Sequence, residues 1–567
     1  MQKFSEIKYV RPDEAALYAQ LDEAIKQVKK VKSGDELCRI YADVDRQGKE
    51  LETMFTVASI RNTMDMSDKF YEGEMEFLDG FAAKLQLKMK KFNKAVVASP
   101  YVGALAERYS DLVVKNLETS LKLMNAKIVP MMIREEKLGR EYSKTAAMAS
   151  CDFRGETCNF YGLLKHMNST DRAERKEAFE KWAALYESIS DKLDAIYDKL
   201  VALRGKKAQA LGFDSYIDYI YLQRERYDYT AKDVAAFRDQ VRDEIVPVCA
   251  RLHAEQAKRL GVDKLRYYDE ELLFPDGNAN PIGGKDVLVG KALEFYQALS
   301  PETAEFFKFM CDYELFDLET RPNKHMGGYC TFLGSLGAPF IFSNFNGTSA
   351  DVDVLTHEAG HAFEAYTAAK TQPLSEMVWS TSEVDEIHSM SMEHFAYPYA
   401  DKFFGEEAAD KYRYAHLVGA LTCIPYLVSV DEFQHRVFEK PAMTAKERRA
   451  VWHEIEQKYL PWRDYDGNEF LAEGGFWMQK QHIFLYPFYY VDYSLAQVCA
   501  FQFFAKDRAD HQTAWADYLT LCRAGGSRGY FALLDLAHLD NPFREGTVAK
   551  VMQAVNACIA DFSAKLN

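Results

Sequence analysis

The run His357-Glu358-Ala359-Gly360-His361 restricts the fold more than any other stretch of this chain. Two histidines four residues apart meet the same ion only when the backbone between them is α-helical, because i and i+4 lie one turn apart on one face. The spacing therefore predicts a helix that turns its histidines toward an internal site. With 13 histidines in 567 residues, such a run arises by chance about 0.02 times. The flanking residues agree with a helix. Thr348-x-x-Asp351 fits a capping box, and Val352, Leu355, Ala359, Ala362 and Tyr366 form an apolar stripe at helical spacing. Small Ala359 and Gly360 permit close approach between the ligands.

Two imidazoles alone leave a divalent ion short of ligands. Zinc held by three protein groups keeps a fourth position for water, which is the arrangement of a catalytic site. The ion lowers the pKa of that water toward about 7, and Glu358 is placed to take its proton. The pattern points to one catalytic Zn2+ per chain and to metal-assisted hydrolysis. The third ligand must come from elsewhere, since Glu364 and Thr367 stand where a three-histidine motif needs Gly and His. A carboxylate on a second helix is the other solution, and the candidates are Glu376, Glu383, Asp385 and Glu386. Ser380-x-x-Glu383 and Ser382-x-x-Asp385 both read as helix starts, and the helix can run to about Ala396, before Pro398. Glu383, Glu386, Ser389 and Glu393 then share one face, and spacing does not separate Glu383 from Glu386.

Residues 12 to about 270 read as helix after helix. One covers 171–186 and another 200–211, with Gly212 as its stop. Between residues 323 and 347 the texture changes. Gly327, Gly328, Gly334, Gly337 and Gly347 surround residues 339–345, the best strand candidate in the chain. Helical texture resumes at Ala350. The expected fold is mainly α, a large helical body with a small mixed β-sheet beside the metal-binding helix pair. Its expected regions are a helical 1–170 and a catalytic 171–567.

Lys and Arg total 70 against 86 Asp and Glu, a formal charge of −16. Such a surface repels phosphate backbones and argues against a nucleic-acid partner. No apolar run reaches the roughly 18 residues that span a bilayer. The first 15 residues lack a basic start followed by an apolar core. The ten cysteines are scattered, with Cys151 and Cys158 the nearest pair and no C-x-x-C, which reads as buried thiols in a reducing compartment. A cytoplasmic enzyme without membrane or nucleic-acid partners is the expectation.

With both helices in view, the chain resembles the thimet-oligopeptidase family of zinc metallopeptidases, and most closely its oligoendopeptidase F branch. The resemblance rests on Phe342-Ser343-Asn344-Phe345-Asn346-Gly347-Thr348, Asp353, and Leu355-Thr356-His357-Glu358-Ala359-Gly360-His361-Ala362-Phe363. Glu386 with Ser389 and Glu393 is similar to the family's E-x-x-S-x-x-x-E segment, whose first Glu is the third zinc ligand. Leu203-Arg204-Gly205-Lys206-Lys207-Ala208-Gln209-Ala210-Leu211-Gly212-Phe213, Asp431-Glu432-Phe433-Gln434 and Gly525-Gly526-Ser527 also match, so the resemblance spans roughly residues 170–545. The segment from His482 to Tyr493 is similar to the family's His and Tyr-x-x-Tyr substrate segment, with either Tyr489 or Tyr490 facing the metal.

The resemblance implies a closed body with a deep channel and endo-hydrolysis of short peptides. Zinc would be held by His357, His361 and Glu386, with Glu358 as general base and His482, Tyr490 or Tyr493 stabilising the oxyanion. The strand at 342–345 would hold the peptide by backbone pairing. A carboxypeptidase and a non-catalytic zinc-dependent peptide-binding protein are the rival readings. The remaining histidines, including His325, His388, His394 and His416, read as structural or surface groups.

Overall fold

The computed structural model describes residues 1–321, 323–325 and 327–566. The fold is mainly α. Two long helices lie near the start, α1 (Gly34–Met64) and α2 (Lys69–Val97). Each begins at a side chain that satisfies free helix N–H groups: Ser33 accepts from Glu36, and Asp68 from Phe70 and Tyr71. Leu37, Ile40, Phe92 and Val96 form a core under these helices that reaches Leu374 and Met377 of the later chain.

A hairpin of two three-residue strands follows, β1 (Cys151–Phe153) and β2 (Glu156–Cys158), where the sequence suggests only helix. Arg154 and Gly155 turn it with φ of 53° and 86°. Strands this short carry no readable alternation. Beyond it, α3 (Phe160–Met167) leads into α4 (Arg172–Leu211), a single helix of 40 residues. The two helices expected at 171–186 and 200–211 are one, because buried Leu193, Ile196 and Tyr197 carry the apolar period across the gap. Asp171 caps its start, and Gly212, at φ 90°, ends it as expected.

Strands β3 (Phe316–Glu319), β4 (Tyr329–Leu333) and β5 (Ala338–Phe345) form the small mixed sheet in the order β3-β5-β4. β5 runs parallel to β3 and antiparallel to β4. It is buried almost throughout, which explains the apolar run from Ala338 to Phe342. Among the described residues β5 has β3 on one side and, over Ala338–Phe342, β4 on the other, and the outer edges of the sheet belong to β3 and β4.

The helix carrying the two histidines, α5 (Ala350–Thr371), packs on β5 and on α6 (Ser382–Phe395). Its start differs from the expected capping box. Ser349 has helical dihedrals and caps nothing, while the Asp351 carboxylate accepts from Asn346 and Gly347 N at 2.9 and 2.7 Å. Asp351 therefore ties down the loop from β5. The stripe Val352, Leu355, Ala359, Ala362 and Tyr366 is buried as expected, but so are Glu358 and Glu364, which makes α5 a central helix.

Helix α7 (Glu406–Glu439) and helices α8 (Tyr490–Ala509) and α9 (His511–Ala524) complete the surround. By length and composition α7 is apolar enough to cross a membrane, although polar residues break it into shorter apolar runs in the sequence. Within the protein it packs on α8, and 61% of its most apolar window is buried. It is a core helix here.

Candidate metal centre

Gly360 sets how closely α5 and α6 approach. A Cβ at this position would lie 2.6 Å from Ser389 Cα and 2.7 Å from His388 O, both backbone atoms. Glycine removes that clash, and α6 passes directly over the turn between the two histidines. His357 Nε2 then lies 3.3 Å and His361 Nε2 3.5 Å from Glu386 Oε2. The three donor atoms fall within 4.8 Å of one another. Two ligands each about 2.1 Å from a tetrahedral zinc stand about 3.4 Å apart, so these gaps fit an ion between them.

The other carboxylates are engaged elsewhere. The Tyr41 hydroxyl donates to Glu376 at 2.5 Å, and Asp385 accepts from Ser380 N at 2.9 Å. Burial and the neighbouring Asp492 push the Glu383 carboxyl up to about 8, so it keeps its proton. Glu386 is held well below the usual range. Burial pushes it up, but the facing His361 and His357 outweigh that.

A hydrogen-bonded chain orients the ligands. His357 Nδ1–H donates to Glu393 Oε1 at 2.6 Å, which leaves the Nε2 lone pair for the metal. Glu393 Oε2 accepts from His416 Nε2–H at 2.7 Å, and the Tyr397 hydroxyl bonds His416 Nδ1 at 2.6 Å. Burial raises the Glu393 carboxyl, yet the bonds from His357 and His416 bring it down to about 2. His416 thus corrects its reading as a structural or surface residue. It sits on α7, at no motif spacing from α5, so the sequence carries no signal for it. Ser389 Oγ donates to Glu386 Oε2 at 3.0 Å, and Tyr489 OH to Oε1 at 2.7 Å.

Tyr489 grips the carboxylate of Glu386, while Tyr490 and Tyr493 line the cavity beside it. The His482 ring lies 4.7 Å from that of Tyr490 and 6.4 Å from that of Tyr493. Burial, with Lys480 and Arg224 nearby, pushes His482 down to about 3, so its imidazole is neutral. Glu358 is buried, and burial raises its carboxyl despite the two histidines. On its other side stands the approach to β4, where a Cβ on Gly328 would lie 3.6 Å from Glu358 Oε1. A cavity of about 690 Å³ adjoins these groups, lined by Glu393, His416, Tyr490 and Tyr493 and extending to Trp462 and Arg463.

Comparison with known sequences agrees with this geometry. Residues 4–124 match the Peptidase M3 N-terminal domain, and residues 165–273 and 303–552 match Peptidase family M3. The chain belongs to peptidase family M3. This M3 peptidase is 42% identical to PZ peptidase A, whose structure was solved with an inhibitor, over 99% of each chain and with a TM-score of 0.94. A Bacillus anthracis str. Ames structure that carries the name oligoendopeptidase F is 40% identical, over 99% of this chain and 98% of that one, with a TM-score of 0.90. Oligopeptidase PepF of Bacillus subtilis (strain 168) is 21% identical over 544 residues, 90% of this chain and 78% of that protein. The N-terminal match extends the resemblance, which the sequence motifs carry only from about residue 170. The chain is a metallopeptidase of the oligoendopeptidase kind.

Proposed function

We propose that this M3 peptidase cuts internal bonds of short peptides at one catalytic zinc held by His357, His361 and Glu386. The observation that carries the reading is the convergence of those three donors within 4.8 Å beside a buried Glu358, with Glu393, the hydrogen-bond partner of His357, lining a cavity of about 690 Å³. Two imidazoles and a carboxylate are a catalytic zinc set, because three protein ligands leave a position open. Bound there, zinc supplies Lewis acidity toward water and the scissile carbonyl.

The protein groups do the rest. Glu358 takes a proton from the attacking water and later delivers it to the leaving amine. Tyr490, Tyr493 and neutral His482 donate hydrogen bonds to the developing oxyanion. The Glu393–His416–Tyr397 chain keeps His357 in its ligating tautomer. The peptide pairs with the free edge of β4 rather than with β5, since Gly328 brings that edge against Glu358.

The tyrosines separate two roles. Tyr489→Phe removes a bond to a metal ligand and is expected to weaken metal affinity about ten- to a hundredfold. Tyr490→Phe and Tyr493→Phe are expected to keep the metal and lower kcat by about two to three orders of magnitude, with a smaller effect on KM. Steady-state kinetics with metal titration check this. Parent-like turnover in both cavity variants would make their rings simple packing groups.

Substrate size is the second expectation. A cavity of about 690 Å³ holds an extended segment, and threading a folded domain would require unfolding it at about 5–15 kcal/mol. A ladder of peptides blocked at both ends, a stable folded protein and a permanently unfolded long protein are incubated with the enzyme and followed by fragment mass. Blocked short peptides will be cut, the two proteins will be spared, chelation will abolish cleavage and zinc will restore it. Cleavage only of peptides with a free C-terminus would instead indicate a carboxypeptidase. Zinc binding without any turnover would indicate a peptide-binding protein.

A further inference from the structure

The β1–β2 hairpin lies between the two family-matched regions, and it gathers a second set of metal-ligating side chains. The ligand atoms of Glu156, Cys158 and His166 lie within 4.8 Å of one another. We propose that these three residues, with water in the fourth position, bind a second zinc ion that pins the hairpin and α3 to α4.

Three observations carry this. First, His166 is oriented as a ligand. Its Nδ1 bonds Glu174 of α4 at 2.6 Å, and Glu174 also accepts from Ser169 Oγ at 3.1 Å and pairs with Arg154 at 3.2 Å. A carboxylate on one ring nitrogen fixes the tautomer and leaves the other nitrogen for a metal. The same device holds His357 through Glu393 at the catalytic site. Second, the Cys158 thiol is buried at the end of β2, directly over the first turn of α3. A Cβ on Gly162 would lie 3.4 Å from its Sγ and 3.3 Å from its Cβ, so glycine leaves room for the sulfur there. Third, an ion here would add to the packing of buried Phe153 and to the Arg154–Glu174 and Arg154–Glu177 pairs that already join the hairpin to α4. Two strands of three residues do not hold together in water by their own hydrogen bonds. An ion bridging Glu156 and Cys158 of β2 to His166 of α3 ties all three elements to α4 through Glu174. Thiolate with imidazole selects zinc over calcium or magnesium, which take all-oxygen shells.

The test uses full-length, reduced protein and metals alone. Zinc analysis is expected to give two ions per chain in the parent and one in Cys158→Ser or His166→Gln, with peptidase activity in both variants showing that they fold. Cobalt substitution identifies the site directly, because the catalytic set has no sulfur. A thiolate-to-cobalt charge-transfer band will appear in the parent, persist in His361→Ala and vanish in Cys158→Ser. The parent spectrum decides even where a variant fails to fold. One zinc per chain and a cobalt spectrum without a thiolate band in the parent would overturn the proposal. So would a band that survives Cys158→Ser, since the sulfur would then be another cysteine.

Discussion

Glu358→Gln is expected to lower kcat about a hundred- to ten-thousand-fold while the metal stays bound. Glutamine keeps the shape and the polar contacts of the side chain but cannot accept the proton of the attacking water. The proposed metal donors belong to His357, His361 and Glu386, so occupancy of the site is expected not to change. KM will move little, because the loss falls on the reaction step rather than on peptide binding. Kinetics paired with metal analysis of the same preparation check the split. A variant that loses its metal along with activity would show that Glu358 holds the ion, and one with parental turnover would remove it from the chemistry. Glu386→Gln supplies the contrast. It keeps the size of a ligand but removes its charge, so metal retention rather than the proton transfer is what fails.

The second large effect comes from one methyl group. Gly360→Ala puts a Cβ 2.6 Å from Ser389 Cα and 2.7 Å from His388 O. Backbone atoms of a packed helix cannot swing aside as a side-chain tip does, so α5 and α6 must separate by about 1 Å to reach ordinary contact. Metal sites tolerate deviations of about 0.2 Å in ligand distance. Such a separation carries Glu386 away from His357 and His361. Metal affinity will fall by at least about a hundredfold, and overpacking will cost about 1–3 kcal/mol of stability. Isothermal metal titration and thermal unfolding of the metal-free protein measure the two losses separately. Ala359→Gly, one residue away, leaves the helix contact open and serves as the control. Parental metal affinity in Gly360→Ala would show that the helices have slack the structure does not display.

Much of the site is legible in the sequence because its key spacings are local. His357, Glu358 and His361 lie within five residues of one helix, and the regularity of the helix alone brings them together. The E-x-x-S-x-x-x-E pattern works the same way on α6, where Glu386 and Ser389 share a face and Ser389 does bond Glu386. The strand at 339–345 is equally readable from its apolar start Pro339–Phe342, since a strand buried on both faces needs no alternation. Three features escape this kind of reading. His416 reaches Glu393 from α7, where no period links it to the motif. The β1–β2 hairpin is too short to show a period at all. The fusion of two expected helices into α4 depends on a middle stretch that the core buries.

The sequence by itself determined the helix that carries His357, Glu358 and His361 and a mainly helical architecture, because each follows from residues within a few turns of one another. Only the tertiary structure decided the rest. It separates Glu386 from Glu383, which helix spacing leaves open and only the family resemblance distinguishes, since one carboxylate faces the histidines and the other lies near Arg226 and Asp492. It assigns Tyr489 to the ligand and Tyr490 and Tyr493 to the cavity, although the three lie within five residues. It places β5 in the centre of the sheet with β3 and β4 outside, because strand order is a property of pairing between distant segments. In each case several side chains share the same local pattern, and what distinguishes them is the partner that packing brings from elsewhere in the chain.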